Sequence, residues 1–393
     1  MGQAGSRIEE RGFEQHLDSH LHKLLKSHHQ DTIDATLNNL FATDLNAYDV
    51  LMDAVEAVSE AVHIAAEDEG GAGYNALLIA APILAWTRFS ISSGAIPADV
   101  LSTLNTHLAA HLLADDTQLA LSPNLFSIDQ LPRSHAETYA LTHKLAQAAH
   151  KGVPLKPTAK PLETAPFLAD TRYLLAVVVA PVGAPLFRWQ APGSMTTFAA
   201  DRASALLAWQ AQATPTIARL LPGCGVELLL PEAYYVACRE ADKAIRPVSI
   251  RAAVHYLTHT LNIEASELRA VIGGFGEEPS GDGQIDEYRI GFTVRQSNDV
   301  IYGIVWPLYG QEDEDGTPAE GLVPALLGER KTPVDEILAL LQEAGVTQVK
   351  RHSERFPSEF CDDCGAPLFV DPTAELVHAE MPEDAPAGDT HFH

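Results

Sequence analysis

The sequence predicts an α+β protein: a tandem duplication of an α/β-sandwich-like unit, running strand, helix, strand, hairpin, helix, behind an N-terminal helical segment. Three observations carry this. Apolar residues recur at helical spacing through the N-terminal stretch, and helical and alternating patterns interleave farther on. Sliding the chain by 149 positions then pairs Pro82 with Pro231, Leu101 with Ile250, Leu108 with Leu257, Leu112 with Leu261, Leu119 with Leu268 and Phe126 with Phe275 without a gap.

The elements follow in order. Phe13, Leu17, Leu21, Leu24 and Leu25 lie on one face of a first helix. Val50, Met52, Val55, Val58, Val62 and Ile64 repeat that spacing over Leu45 to Glu67, with Asp44 placed to cap the second helix. An acidic, glycine-rich break then ends it. The first copy reads as a strand at Ala76–Ala81, a helix at Pro97–Leu113, a strand at Thr117–Leu121, a hairpin at Thr171–Gln190 and a helix at Phe198–Gln212. Ser134 to His150 is an inserted helix, and the prolines between Lys151 and Pro166 mark an extended connector. The second copy gives a strand at Val226–Leu230, a helix at Pro247–Leu261, a strand at Leu268–Ile272, a hairpin at Glu287–Pro307 and a helix at Val334–Ala344. Gly273 through Gly283 reads as a mobile loop. The implied organisation is a helical segment over residues 1–73, repeats over 74–195 and 196–350, and a C-terminal Cys-x-x-Cys segment with an acidic tail over 351–393.

Composition narrows the function. A formal charge of −27 disfavours general nucleic-acid binding and attachment to anionic membranes. No apolar run reaches the roughly 18 residues needed to span a bilayer, and the N-terminus lacks a signal-type apolar region. Four cysteines in 393 residues are too few for a disulfide scaffold. A cytoplasmic protein is expected.

The strongest local motif is Cys361-Asp362-Asp363-Cys364-Gly365. Two thiolates on a tight turn can approach one ion, and the glycine lets the backbone turn toward sulfur, which is the shape of a zinc knuckle. A structural zinc ion takes four ligands, so others would come from His352, His378, His391, His393, Cys224 or Cys238, with a reduced structural thiol pair as the main alternative and a thioredoxin-like redox pair, which lacks its βαβ context, as the lesser one. Histidines also pair at helical spacing: His16 with His20, His107 with His111 and His255 with His259. The last two pairs form a weaker candidate metal site, and neither carries the glutamate of a zincin helix. The sequence has no Gly-x-Ser-x-Gly elbow, no phosphate-binding Gly-x-x-x-x-Gly-Lys loop and no Gly-x-Gly-x-x-Gly fingerprint, so no cofactor other than zinc and no catalytic residue is assigned. Trp86, Arg88, Trp189, Tyr234, Tyr235, Tyr256, Trp306 and Tyr309 gather near strand ends, as core or as pocket lining.

The segment Ala80-Ala81-Pro82-Ile83-Leu84-Ala85-Trp86-Thr87-Arg88-Phe89-Ser90 and the ending Arg355-Phe356-Pro357-Ser358-Glu359-Phe360-Cys361-Asp362-Asp363-Cys364-Gly365-Ala366-Pro367-Leu368-Phe369 resemble an uncharacterised, mainly proteobacterial domain-of-unknown-function family, over nearly the whole chain. The resemblance implies a bacterial cytoplasmic protein and carries over no catalytic residue. The expected function is a non-enzymatic binding or assembly protein with a structural zinc knuckle, taking a protein partner or a small molecule and a candidate homodimer. The alternative is a metal-dependent, hydrolase-like enzyme using the paired histidines in a cleft between the repeats.

Overall fold

The computed structural model describes residues 17, 19–27, 29–66, 73–157, 167–190, 195–276, 285–309 and 332–382. The chain divides into two compact units, each assembled from three segments. Unit 1 takes Met1–Ala85, Ser92–Thr164 and Thr171–Lys243; unit 2 takes Trp86–Ile91, Ala165–Asp170 and Ala244–His393.

Unit 1 opens on helices α1 (Gln30–Thr43) and α2 (Leu45–Glu60). Leu21 and Leu25, from the helical stretch ahead of α1, join Ile33, Leu37, Val55 and Val58 in one core. The Asp44 side chain accepts from Ala47 N at 3.1 Å, the predicted cap. Helix α2 stops short of Glu67 because Ala61–Ile64 forms strand β1, antiparallel to β2 (Tyr74–Trp86). Val62 is buried there while His63 is exposed, a period-two pattern that a helix count also accommodates. The main sheet runs β1-β2-β5-β4-β3, with β3 Gly94–Ala95, β4 Gln118–Ser127 and β5 Ala169–Pro181. Ten consecutive residues of β5 are buried, as expected of a central strand covered on both faces. Helix α3 (Ala98–His111) packs on β4 and on α5 (Met195–Leu220), whose side chains are described from residue 200. Helix α4 (His135–Lys151), the predicted insertion, begins at a capping box of Ser134 and Glu137 and ends at Gly152 in the left-handed region.

Strands β6 (Gly225–Leu228) and β7 (Glu232–Ala233) also join this sheet, both beside β2. They lead into α6 (Tyr234–Leu261), which is shared between the units. Its start lies well before Pro247, the predicted first turn. That proline is accommodated inside the helix, where it has no N–H to donate to the preceding turn.

Unit 2 is built on the sheet β10-β9-β8-β11, with β8 Leu268–Gly276, β9 Glu287–Val294, β10 Tyr302–Pro307 and β11 Gln348–Pro357. β8, β9 and β10 are antiparallel neighbours and β11 lies parallel to β8. One face carries Ala270, Ile272, Tyr288, Ile290, Phe292, Ile304 and Trp306, which pack with Ile250, Ala253 and Leu257 of α6 and Ile337 and Leu341 of α7 (Pro333–Glu343). Trp86 and Leu168 enter the same core, and Thr87 N donates to Leu168 O at 2.9 Å. The opposite face carries Val271, Phe275 and Arg289, and the C-terminal segment covers it.

Two expectations need correction. Thr171–Gln190 is not a hairpin: β5 ends at Pro181, and the return stretch pairs only through the bridge of Phe187 to Leu113 before a 3-10 turn at Arg188–Gln190. The Gln190 side chain holds that turn by accepting from Leu186 N and Phe187 N. Gly273–Gly276 is not loop but buried strand, and residues 277–284 lie outside the described residues. The chain is thus mixed α/β, and the second succession of elements does not repeat the pairing of the first. Its predicted opening strand, β6, lies in the first sheet, where Leu229 N donates to Pro82 O at 3.0 Å.

Candidate metal centre

The covered face of the second sheet explains where the Cys-x-x-Cys turn sits. Three glycines leave that face without side chains: Gly273 on β8, Gly291 on β9 and, paired with it, Gly303 on β10. A Cβ at Gly273 would lie 2.7 Å from Val370 Cγ1, and one at Gly303 would enter the ring of Phe369. The bare backbone is therefore a seat for β12 (Phe369–Val370), in which both residues are buried.

Arg289, fully buried on the same face, fixes the approach to the turn. Its Nη1 donates to Glu359 O and Leu368 O, both at 2.7 Å, and its Nε donates to Glu287 Oε1 at 2.6 Å. The guanidinium lies over the rings of Phe275 at 4.4 Å and Phe360 at 5.1 Å. One cation thus holds the chain entering and leaving the turn. Between those anchors Phe360 bridges Pro367, Cys361 N donates to Ala366 O at 2.7 Å, and Gly365 N donates to Cys361 O at 2.8 Å. Gly365 has φ +72°, the left-handed conformation that tight closure requires.

The chain then doubles back. β12 pairs with β13 (Leu376–Val377) around a turn in which the Asp371 carboxylate accepts from Thr373 N at 2.7 Å and Glu375 N at 2.9 Å. Those donors, and the Thr373 hydroxyl, overcome the effect of burial and hold the Asp371 carboxyl below the usual range. The reversal delivers His378 to the Cys turn, with its Nε2 3.2 Å from Cys364 Sγ. Donor atoms of Cys361, Cys364 and His378 all lie within 4.8 Å of one another. N–H groups of Cys364 and Asp363, followed by the Cys364 side chain, hold the Cys361 thiol below the ordinary cysteine range, which favours the thiolate that a metal needs. Behind the imidazole, Glu380 Oε1 lies 3.2 Å from His378 Nδ1, within ion-pair distance though outside hydrogen-bond geometry. A carboxylate there is the usual partner of a metal-bound histidine.

Other sequence-predicted candidates are placed elsewhere. His352 is not part of the cluster, and its Nε2 contacts Asp371 O at 2.9 Å. Cys224 and Cys238 belong to unit 1, where burial pushes the Cys238 thiol up to about 12. All four cysteines are free thiols. His16, His391 and His393 lie outside the described residues. On α3 the His107 and His111 rings are 6.1 Å apart, and burial, then His111, pushes the His107 imidazole below its usual range. On α6 the His255 and His259 rings are 4.0 Å apart, with His259 Nδ1 on His255 O at 2.9 Å. Among the described residues neither pair gathers a third Cys, His or carboxylate donor. Of the clustered aromatics, Trp189, Tyr234 and Trp306 are core residues.

Sequence reading did not find Arg289, Glu380 or the glycine seat. An isolated glycine within each of β9 and β10 was the available signal, because a strand glycine often marks close approach of another backbone or side chain.

Fold and site together define a two-unit mixed α/β protein with a Cys, Cys, His cluster seated on its second sheet. The chain belongs to the family described as Protein of unknown function (DUF2863), which it matches over residues 1–392. No curated protein and no solved structure matches it. No helix among the described residues is long and apolar enough to cross a membrane.

Proposed function

We propose that this is a non-enzymatic binding or assembly protein of the bacterial cytoplasm, whose final segment carries a structural zinc ion on Cys361, Cys364 and His378. The convergence of those three donors within 4.8 Å carries the reading. Two thiolates and an imidazole suit zinc over harder cations such as magnesium or calcium. The fourth position falls to water or to a donor beyond residue 382, the part of the chain that holds His391 and His393. Zinc here would tie the Cys turn to the residue that follows β13, closing a segment whose Val370 and Leu376 already pack on the second sheet. The non-enzymatic half rests on the sequence, in which no common catalytic signature is complete.

Elemental analysis of tag-free protein tests the reading. The expected result is near-stoichiometric zinc in the wild type, lost in Cys361→Ser/Cys364→Ser. Metal kept by that variant would move the site to His107/His111 or His255/His259 and make a hydrolase-like enzyme the better reading. No metal in either protein would overturn the knuckle.

A further inference from the structure

We propose that Cys361 and Cys364 are also a modification site: a hydroperoxide oxidises them to an intramolecular disulfide that expels the metal, while the carboxylates around them turn away anionic oxidants. The inference rests on the zinc reading above and adds its regulation. The two sulfurs lie within 4.8 Å of each other, so side-chain rotation has only to close the remainder to the ~2.05 Å of a disulfide. Cys364 is exposed and Cys361 is half-buried, which lets an oxidant reach the pair from solvent. The other two thiols, Cys224 and Cys238, belong to unit 1.

The turn keeps its shape through contacts that need no ion. Arg289 holds Glu359 O and Leu368 O on either side of it, and within it Cys361 N bonds to Ala366 O and Gly365 N to Cys361 O. Phe369 and Val370 stay buried on the second sheet. Oxidation therefore acts at one place, the tie between the turn and His378, and leaves the seat of the segment intact. That confines the change and allows a thiol reductant to reset it.

The electrons balance without a further co-reactant. The exposed Cys364 thiolate attacks the O–O bond, takes one oxygen as a sulfenic acid and releases hydroxide, or alkoxide from an organic peroxide. The Cys361 thiolate then attacks that sulfur; the S–S bond forms and the oxygen leaves as hydroxide. Two electrons pass from the thiolates to the peroxide, and solvent protons convert the leaving groups to water or an alcohol. One imidazole is left of the three donors, too few to hold zinc. Glu359, Asp362 and Asp363 are exposed beside the sulfurs, and the formal charge of the whole chain, −27, has the same sign. Oxidised glutathione, with a net charge of about −2 at pH 7, is repelled by that field, whereas a neutral hydroperoxide is not.

Zinc content of the untreated full chain is measured first, and its absence would overturn the metal reading and this regulation with it; every later failure overturns the regulation alone. Zinc-loaded protein is then treated with hydrogen peroxide, with metal release followed by a chromogenic chelator and the Cys361–Cys364 peptide mapped by mass spectrometry. The expected result is zinc release in step with loss of two hydrogens from that peptide, both reversed by dithiothreitol and added zinc. Zinc retained under peroxide, or released without a Cys361–Cys364 disulfide, would overturn the proposal. Asp362→Asn/Asp363→Asn should speed release by oxidised glutathione at least about threefold at low ionic strength, as should added salt in the wild type, with the peroxide rate unchanged. No change with glutathione, or an equal change with both oxidants, would refute the selection by charge.

Discussion

Gly303→Ala should be among the most disruptive single-methyl additions in the chain. The added Cβ would enter the Phe369 ring, which is 4% exposed and has little room to yield. Restoring carbon–carbon contact at ~3.5–4.0 Å requires the ring to retreat by about 1.5 Å. That retreat drags Val370 from the bare backbone of Gly273 and Gly291, so the cost belongs at the upper end of overpacking, about 3 kcal/mol. Chemical denaturation followed by tryptophan fluorescence, to which Trp86 and Trp306 of the unit 2 core contribute, gives the value. Phe369→Ala alone should cost a similar amount by leaving a cavity, about 3 kcal/mol. In the double variant the small ring substitute accepts the methyl, so the combined cost should fall short of the sum by about 1 kcal/mol or more. A cost below about 0.5 kcal/mol for Gly303→Ala, or additivity within that margin, would refute the seat.

Arg289→Met keeps the bulk of the side chain but strips Glu359 O and Leu368 O of their buried donor, and should cost about 3 kcal/mol in denaturation; it should also loosen the Cys turn, read as faster thiol labelling at Cys364. Burial raises the Glu60 carboxyl to about 7 despite the Tyr235 N–H it accepts, so the folded chain holds that proton more tightly than the unfolded chain. Its contribution to stability is therefore full below about 4.5 and falls as pH rises to about 7, by at most ~3 kcal/mol. Glu60→Gln, whose amide oxygen still accepts from Tyr235, should flatten that slope and be the more stable protein at pH 8; superimposable pH profiles for the two proteins would contradict this.

The parts legible in the sequence are those written in neighbouring residues. Asp44 three residues before Ala47, and Ser134 three before Glu137, announce helix starts because a cap is a local bond. The β9–β10 hairpin is similarly plain from its alternating runs. What was missed depends on which strands become neighbours. Nothing near Val226 says that β6 will pair with β2, and nothing near Phe187 says that it will meet Leu113 in place of β5. Gly273 reads as loop until Val370, almost a hundred residues on, is known to lie against it. The metal cluster divides the same way: the two cysteines are a motif, whereas His378 is chosen from several histidines only by the turn at Asp371.

The division of the chain also has a consequence for its synthesis. Trp86–Ile91 and Ala165–Asp170 belong to unit 2, although each is translated between stretches of unit 1. At about 5–20 residues per second, roughly ten to thirty seconds pass between the emergence of Leu168 and that of α7. Throughout that interval Trp86 and Leu168 have no core to enter, and the nascent chain carries two apolar strips that a chaperone can hold and that a crowded ribosome can aggregate. A chain cut after Lys243 would keep those strips for good, and the remainder would lack the two side chains that complete its core. The units are two in packing and one in birth.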